Sequence, residues 1–302
     1  MKYRYYTCDV FTETRFGGNP LAVLPNADGL SDVRMQQIAR EFNYSETTFV
    51  FPPESGQTRK VRIFTPSQEV PFAGHPNIGT AFVLATSGAL GQIRSSLSVT
   101  FEEKAGLVPI TIREEQGEIT LCELKAPQPL SLGKPVAQEL IASAVSLSPD
   151  DIVSTTHEPQ VVSVGLPFVI SEVRDLAALG RVAINTNGFE AIRRIVNQGL
   201  RASLYLYTRP VGGSDIRARM FAPLSGVPED PATGSAGCAV VGLLTHHNGE
   251  TNGEYSYQIA QGVEMGRPSM LMARAEKSDS IVQGIWIAGA CVLVNEGFIQ
   301  VD

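Results

Sequence analysis

Two stretches of the chain echo each other. Phe221–Leu244 reads FAPLSGVPEDPATGSAGCAVVGLL and Phe64–Leu84 reads FTPSQEVPFAGHPNIGTAFVL. Phe64-x-Pro66 matches Phe221-x-Pro223, and Val70-Pro71 matches Val227-Pro228. After a gap of two residues, His75-Pro76-x-x-Gly79-Thr80-Ala81 matches Asp230-Pro231-x-x-Gly234-Ser235-Ala236. Upstream, Gly18-x-Pro20 and Gly165-x-Pro167 each open an apolar run. A repeated strand, turn and Pro-initiated helix implies an internally duplicated protein.

The repeated helix has a particular character. Asp230 followed by Pro231 predicts a helix start, with Asp as N-cap and Pro in the first turn, where its missing amide costs nothing. Small residues follow (Gly234 to Ala239), then Val240, Val241, Leu243 and Leu244. A helix apolar on every side is buried, and its small first turn lets other groups approach the backbone. Its N-terminal amides and positive dipole end suit a carboxylate or phosphate.

The chain has 302 residues, enough for two domains of roughly 150 residues each. A chain this long needs no disulfide or metal staple to bury a core. The formal net charge of −7 argues against nucleic acid and anionic membranes as partners, while leaving room for a small anionic substrate. The four cysteines (Cys8, Cys122, Cys238, Cys291) show no CxxC spacing, as expected for reduced thiols in the cytoplasm. The N-terminal MKYRYYTCDVF lacks a signal-peptide apolar core, and no apolar run reaches membrane-spanning length.

In chain order, strands are predicted over 3–11, 21–24, 47–51 and 60–65, with a helix N-capped by Ser31 running to about Glu41, its apolar positions Val33, Ile38 and Ala39. The first central helix starts near Pro76. Hairpin strands follow over 98–101, 108–113 and 119–124, and Ala126-Pro127-Gln128-Pro129 reads as a linker. The second half is read as a helix over 137–146, strands over 161–164 and 168–170, a helix over 189–199, strands over 202–208 and 216–222, and the second central helix. Strands over 256–259, 269–275, 281–287 and 291–295 close it.

Several residues could carry chemistry. Glu46 sits at the mouth of a strand, after Tyr44-Ser45, whereas the corresponding stretch Ala202-Ser203-Leu204-Tyr205 has no acid. Taken alone, a Glu at a strand end is most simply solvated or turn-capping. A partly desolvated Glu, however, could take and return a proton near neutral pH. His75 and Asp230 fall at matched first-turn positions, as caps or as groups facing a shared anion site. Ser235 and Thr80 are matched hydroxyls that could bind ligand or bond back to the helix. His246-His247 fits a helix C-terminus, and Trp286 is expected in the core. The His and Cys spacings match no zinc set, so no metal is expected, and GxSxG, P-loop and GxGxxG motifs are absent.

With these residues in view, the chain resembles the PhzF-like (phenazine-biosynthesis) family of the diaminopimelate epimerase-like superfamily. The matching pieces are Asp9-Val10-Phe11, Gly18-Asn19-Pro20, Ser45-Glu46-Thr47, Phe64-Thr65-Pro66, Gly74-His75-Pro76 with Gly79-Thr80, Asp230 to Ala236, Gln261-Gly262, and Met265-Gly266-Arg267-Pro268. The resemblance implies an α+β fold of two pseudo-symmetric domains, 1–125 (joined by a returning C-terminal strand, 290–302) and 130–289. Each would be a curled mixed sheet around a central buried helix, with the active site in the cleft between them. It implies a cofactor-independent isomerase, usually a homodimer. In the namesake enzyme a glutamate moves a proton within trans-2,3-dihydro-3-hydroxyanthranilate. That glutamate matches Glu46, and the substrate-contacting positions match Ser45, Gly74, His75, Asp230, Gly234 and Ser235.

The thiol-dependent racemases of the superfamily place a Cys at each central-helix N-terminus. Here those places read as Gly74-His75 and Glu229-Asp230, with Cys238 two turns deeper. One Glu shuttling one proton is therefore the expected chemistry, on a small cyclic or amino-acid-like carboxylate. An amino-acid racemase or epimerase is the alternative enzyme, and a non-catalytic small-molecule or protein-binding module the alternative from another class.

Overall fold

The computed structural model describes residues 1–196, 202–210 and 212–302. They fall into two compact units, Met1–Lys125 with Ala288–Asp302, and Ala126–Ile287. The first contains β1 (Lys2–Val10), β2 (Asn19–Leu24), α1 (Asp32–Phe42), β3 (Glu46–Phe51), β4 (Arg59–Phe64), β5 (Glu69–Val70), α2 (Gly74–Thr86), β6 (Ser96–Glu103), β7 (Gly106–Glu115) and β8 (Glu118–Lys125). The second contains β9 (Ser131–Pro135), α3 (Gln138–Ala144), β10 (Ile152–Val153), β11 (Gln160–Ser163), β12 (Pro167–Val173), α4 (Leu176–Arg181), α5 (Thr186–Val196), β13 (Leu204–Thr208), β14 (Ile216–Ala222), β15 (Val227–Asp230), α6 (Gly234–His247), β16 (Gly253–Gln261) and β17 (Ser269–Ser278). The chain then runs through β18 (Ile281–Gly289) to β19 (Cys291–Gln300), which pairs antiparallel with β1. Residues 197–199 of the expected 189–199 helix lie outside the described residues.

Local signals explain most element ends. Ser31 caps α1 by accepting from the Arg34 amide, and Asn43 closes it in the left-handed conformation at φ 53°. Met35, Ile38 and Ala39 form its buried stripe, whereas Val33, expected on the apolar face, points to solvent. The central helices α2 and α6 behave differently. Residues 74–85 and 234–245 are all buried, so each helix is a core rather than a cover. In the first unit α2 is contacted by β1, β2, β3, β7, β8 and β19, and in the second α6 is contacted by β11, β12, β16 and β17. Gly79 makes the close packing possible: a Cβ there would lie 2.6 Å from Leu21 Cδ2 and 2.7 Å from Val10 Cγ2.

The two sheets repeat one order. In the first unit β2 is parallel to β3, β3 antiparallel to β4, β4 parallel to β6 and β6 antiparallel to β7. In the second, β12, β13, β14, β16 and β17 follow the same alternation. Each unit is thus a mixed sheet on a buried helix, and the duplication read from the sequence is real.

Its register differs from the one the sequence suggested. In β4 the Arg62 guanidinium lies 5.2 Å from the Phe64 ring centroid and pairs with Glu69 on β5 at 2.7 Å. In β14 Arg219 lies 4.9 Å from the Phe221 ring and pairs with Glu229 on β15 at 2.7 Å. Both pairs are bidentate. Aligned on these pairs, Gly74 stands five residues after Glu69, and Gly234 five after Glu229. His75 therefore corresponds to Ser235, and the expected match of His75 to Asp230 is wrong. The cause is a longer loop after β14, where residues 223–225 form a single 3-10 turn closed by Gly226 at φ 79°.

Candidate active site

Strand register fixes where Glu46 stands. Thr47 lies opposite Phe64, and Leu204 lies opposite Phe221. The counterpart of Glu46, first residue of β3, is therefore Ser203. The proton-carrying candidate exists in one unit only. Its side chain is 18% exposed, and Oε2 lies 3.4 Å from Nε2 of His75, the second residue of α2. Nε2 is out of line for a hydrogen bond with this carboxylate, so the pair is in contact without being bonded.

His75 is buried, and desolvation pulls its imidazole down to about 3. It is neutral near pH 7, and its contact with Glu46 is that of a neutral ring with a carboxyl group rather than an ion pair. On the other side of the ring, Asn19 Nδ2 is 3.3 Å from Nδ1. Asn19, at the start of β2, is fully buried. It belongs to the Gly18-Asn19-Pro20 turn, and its reach to His75, 56 residues away, leaves no local pattern along the chain.

The strand carrying Glu46 and the helix carrying His75 are tied together. Thr48 and Thr80 share a fully buried hydroxyl hydrogen bond of 2.8 Å. Thr80 thus neither lines a ligand site nor bonds back to its own helix; it clamps α2 to β3. Asn77 donates to the Ala73 carbonyl at 2.9 Å and steadies the first turn. Ala73, the N-cap residue of α2, supplies no side-chain cap. Gly74 opens the helix, and Ser45 immediately precedes β3.

In the second unit, α6 begins at Gly234 with Thr233 as N-cap, also without a side-chain cap. Asp230 is not the N-cap that the Asp-Pro signal predicted. It ends β15, opposite Met220, and accepts from the Thr233 hydroxyl at 2.5 Å. Two causes delay the helix. A residue before proline disfavours helical backbone. Gln261 on β16 also holds the turn, donating to the Asp230 carbonyl at 2.8 Å and accepting from the Thr233 amide at 3.2 Å. Asp230, Gly234 and Ser235 are all buried.

Cys238 is the fifth residue of α6, one turn in rather than two. Burial pushes its thiol up to about 12, so it stays protonated at physiological pH. With the corrected register, the two helix openings carry Gly74-His75 and Gly234-Ser235, and neither has a thiol. Burial, with smaller contributions from Cys238 and Asp230, also raises the Tyr205 hydroxyl well above its ordinary value. Trp286, expected in the core, is only half-buried, with the Arg274 guanidinium 3.9 Å over its ring. His157 bonds the Tyr207 hydroxyl at 2.8 Å. Among the described residues no three His, Cys, Asp or Glu gather as a metal-binding set, and no helix is long and apolar enough to cross a membrane.

The family model described as phenazine biosynthesis-like protein matches residues 8–297. The chain is 34% identical to the trans-2,3-dihydro-3-hydroxyanthranilate isomerase of Pseudomonas aeruginosa, with 98% of each chain covered. It is 37% identical to an uncharacterised isomerase of Mesorhizobium japonicum, covering 97% of both. A crystal structure of a PhzF-family protein from Bacillus anthracis superposes over the full length of both chains with a TM-score of 0.87 at 25% identity. A hydroxyproline epimerase from Agrobacterium vitis shares the fold at a TM-score of 0.66 and 14% identity, over 99% of this chain and 91% of that one.

Proposed function

The chain belongs to the phenazine biosynthesis-like protein family, and we propose that it is a cofactor-independent isomerase that moves one proton within a small carboxylate, with Glu46 as general acid and base. The observation that carries this reading is the Glu46–His75 contact at 3.4 Å, beside the uncapped first turn of a buried helix. Glu46 takes a proton from one carbon of the substrate. The resulting carboxylic acid returns it to another carbon of the same molecule, so no electrons enter or leave and the carboxylate is regenerated. Neutral His75 offers a hydrogen bond rather than a charge, which leaves the proton on Glu46 free to return.

In the first unit the free amides at the start of α2 suit a substrate carboxylate, with Gly74 admitting close approach and Ser45 orienting a polar group; in the second, Asp230, Gly234 and Ser235 offer similar groups at the start of α6. The relatives named as isomerases point to trans-2,3-dihydro-3-hydroxyanthranilate, or a cyclic or amino-acid-like carboxylate close to it, as the substrate. Stereoinversion by two thiols is disfavoured by the helix openings, which carry no cysteine.

The test is turnover of that compound and a panel of small cyclic and amino-acid-like carboxylates by the wild type and by Glu46→Gln. Conversion by the wild type alone supports the reading. Equal conversion by a folded Glu46→Gln protein would sink it.

A further inference from the structure

We infer that Asn19 is a positioning residue that fixes His75 as the Nε2–H tautomer, turning the ring's only proton toward Glu46. The inference rests on Glu46 as the proton carrier and goes beyond it by assigning a role to a residue outside the substrate-contacting set.

A neutral imidazole carries one proton, and its position is set by what the other nitrogen meets. Here Nδ1 meets the Asn19 amide nitrogen at 3.3 Å. An amide N–H can only donate, so Nδ1 presents its lone pair and the proton resides on Nε2. Nε2 is the atom 3.4 Å from Glu46 Oε2. With a proton there, the contact is donor to carboxylate, and a small rotation brings it into line when substrate orders the pair. With the opposite tautomer, two lone pairs would face each other and the ionised base would be disfavoured.

The fold holds Asn19 for this purpose. Asn19 pairs with Val10 across β1 and β2. The preceding Gly18 adopts φ +59°, and a Cβ there would sit 2.4 Å from the Val10 carbonyl oxygen. No other residue type makes this turn without strain, and the turn aims a fully buried amide at the ring. The proton on Nε2 is never transferred; it stabilises the carboxylate before proton abstraction and releases it afterwards.

The experiment is long-range proton–nitrogen correlation NMR at pH 7 on protein labelled with 15N-histidine, with His75 assigned by the signal lost in His75→Gln. The wild type is expected to show a protonated Nε2 and an unprotonated Nδ1. In Asn19→Asp the carboxylate accepts from the ring, so Nδ1 should gain a proton and kcat/KM should fall by roughly 10-fold or more, mainly through kcat. A wild-type ring protonated on Nδ1, or an Asn19→Asp ring with Nδ1 still unprotonated, overturns the assignment without reference to any substrate. The expected tautomers combined with full turnover by Glu46→Gln would instead remove the catalytic half of the inference.

Discussion

The neutrality of His75 can be tested through its effect on stability. Burial lowers its pKa from 6.5 to about 3 in the folded protein. The unfolded chain, with its ordinary imidazole, therefore binds a proton that the folded chain refuses between these values. Stability from this group is complete above about pH 6.5 and is lost as pH falls toward 3. At pH 5 the unfolded state has gained about 1.5 pH units of protonation, worth about 2 kcal/mol at 1.36 kcal/mol per unit. Because the side chain is only 6% exposed, solvent screening takes little from this figure. The assay is urea unfolding of the wild type and His75→Gln at pH 7.5 and pH 5. The wild type should lose about 2 kcal/mol more than the variant on acidification. A difference that stays flat, or a variant that loses more than the wild type, would refute the argument. The second result would mean that the Glu46 carboxylate holds the ring as an imidazolium.

Three further outcomes follow from the packing. Gly79→Ala forces a methyl group against Leu21 and Val10 and should destabilise the first unit by about 1–3 kcal/mol, measured by thermal or urea unfolding. Thr80→Val leaves the Thr48 hydroxyl buried without its partner and should cost about 1–3 kcal/mol, whereas replacing both threonines by valine should cost less than the single change. Cys238→Ala should keep turnover within roughly 2-fold of the wild type, because a buried, protonated thiol has no part in the chemistry. A loss of several orders of magnitude would restore a thiol mechanism.

Much of this was legible because the signals were local. Ser31 caps α1 through a contact three residues away, and the apolar, small-residue runs of α2 and α6 marked them as buried cores. The Asp230-Pro231 signal misplaces the start of α6 because the deciding group, Gln261, arrives from β16 and ties down Asp230 and Thr233 across about thirty residues. The same error put His75 opposite Asp230. The better guide was present in the sequence, in Arg62-x-Phe64 and Arg219-x-Phe221, each followed by a glutamate, but an ion pair over a loop of variable length leaves no fixed spacing. Short β5 and β15 and exposed β9 escaped notice because two to five residues carry too little alternation. At the candidate site, Glu46 stands out by the lack of an acid in the second copy and by the Ser45-Glu46-Thr47 match to the family. The Thr48–Thr80 clamp and the Asn19–His75 contact join residues 32 and 56 positions apart, and no pattern along the chain reveals them.

The proposed role of Glu46 is tested most directly by proton NMR in D2O with trans-2,3-dihydro-3-hydroxyanthranilate, following the wild type and Glu46→Gln side by side. The wild type is expected to convert the compound, while Glu46→Gln, folded and of similar stability, is not. Conversion by both proteins at comparable rates would contradict it, because the proton would then be moving without the carboxylate assigned to carry it.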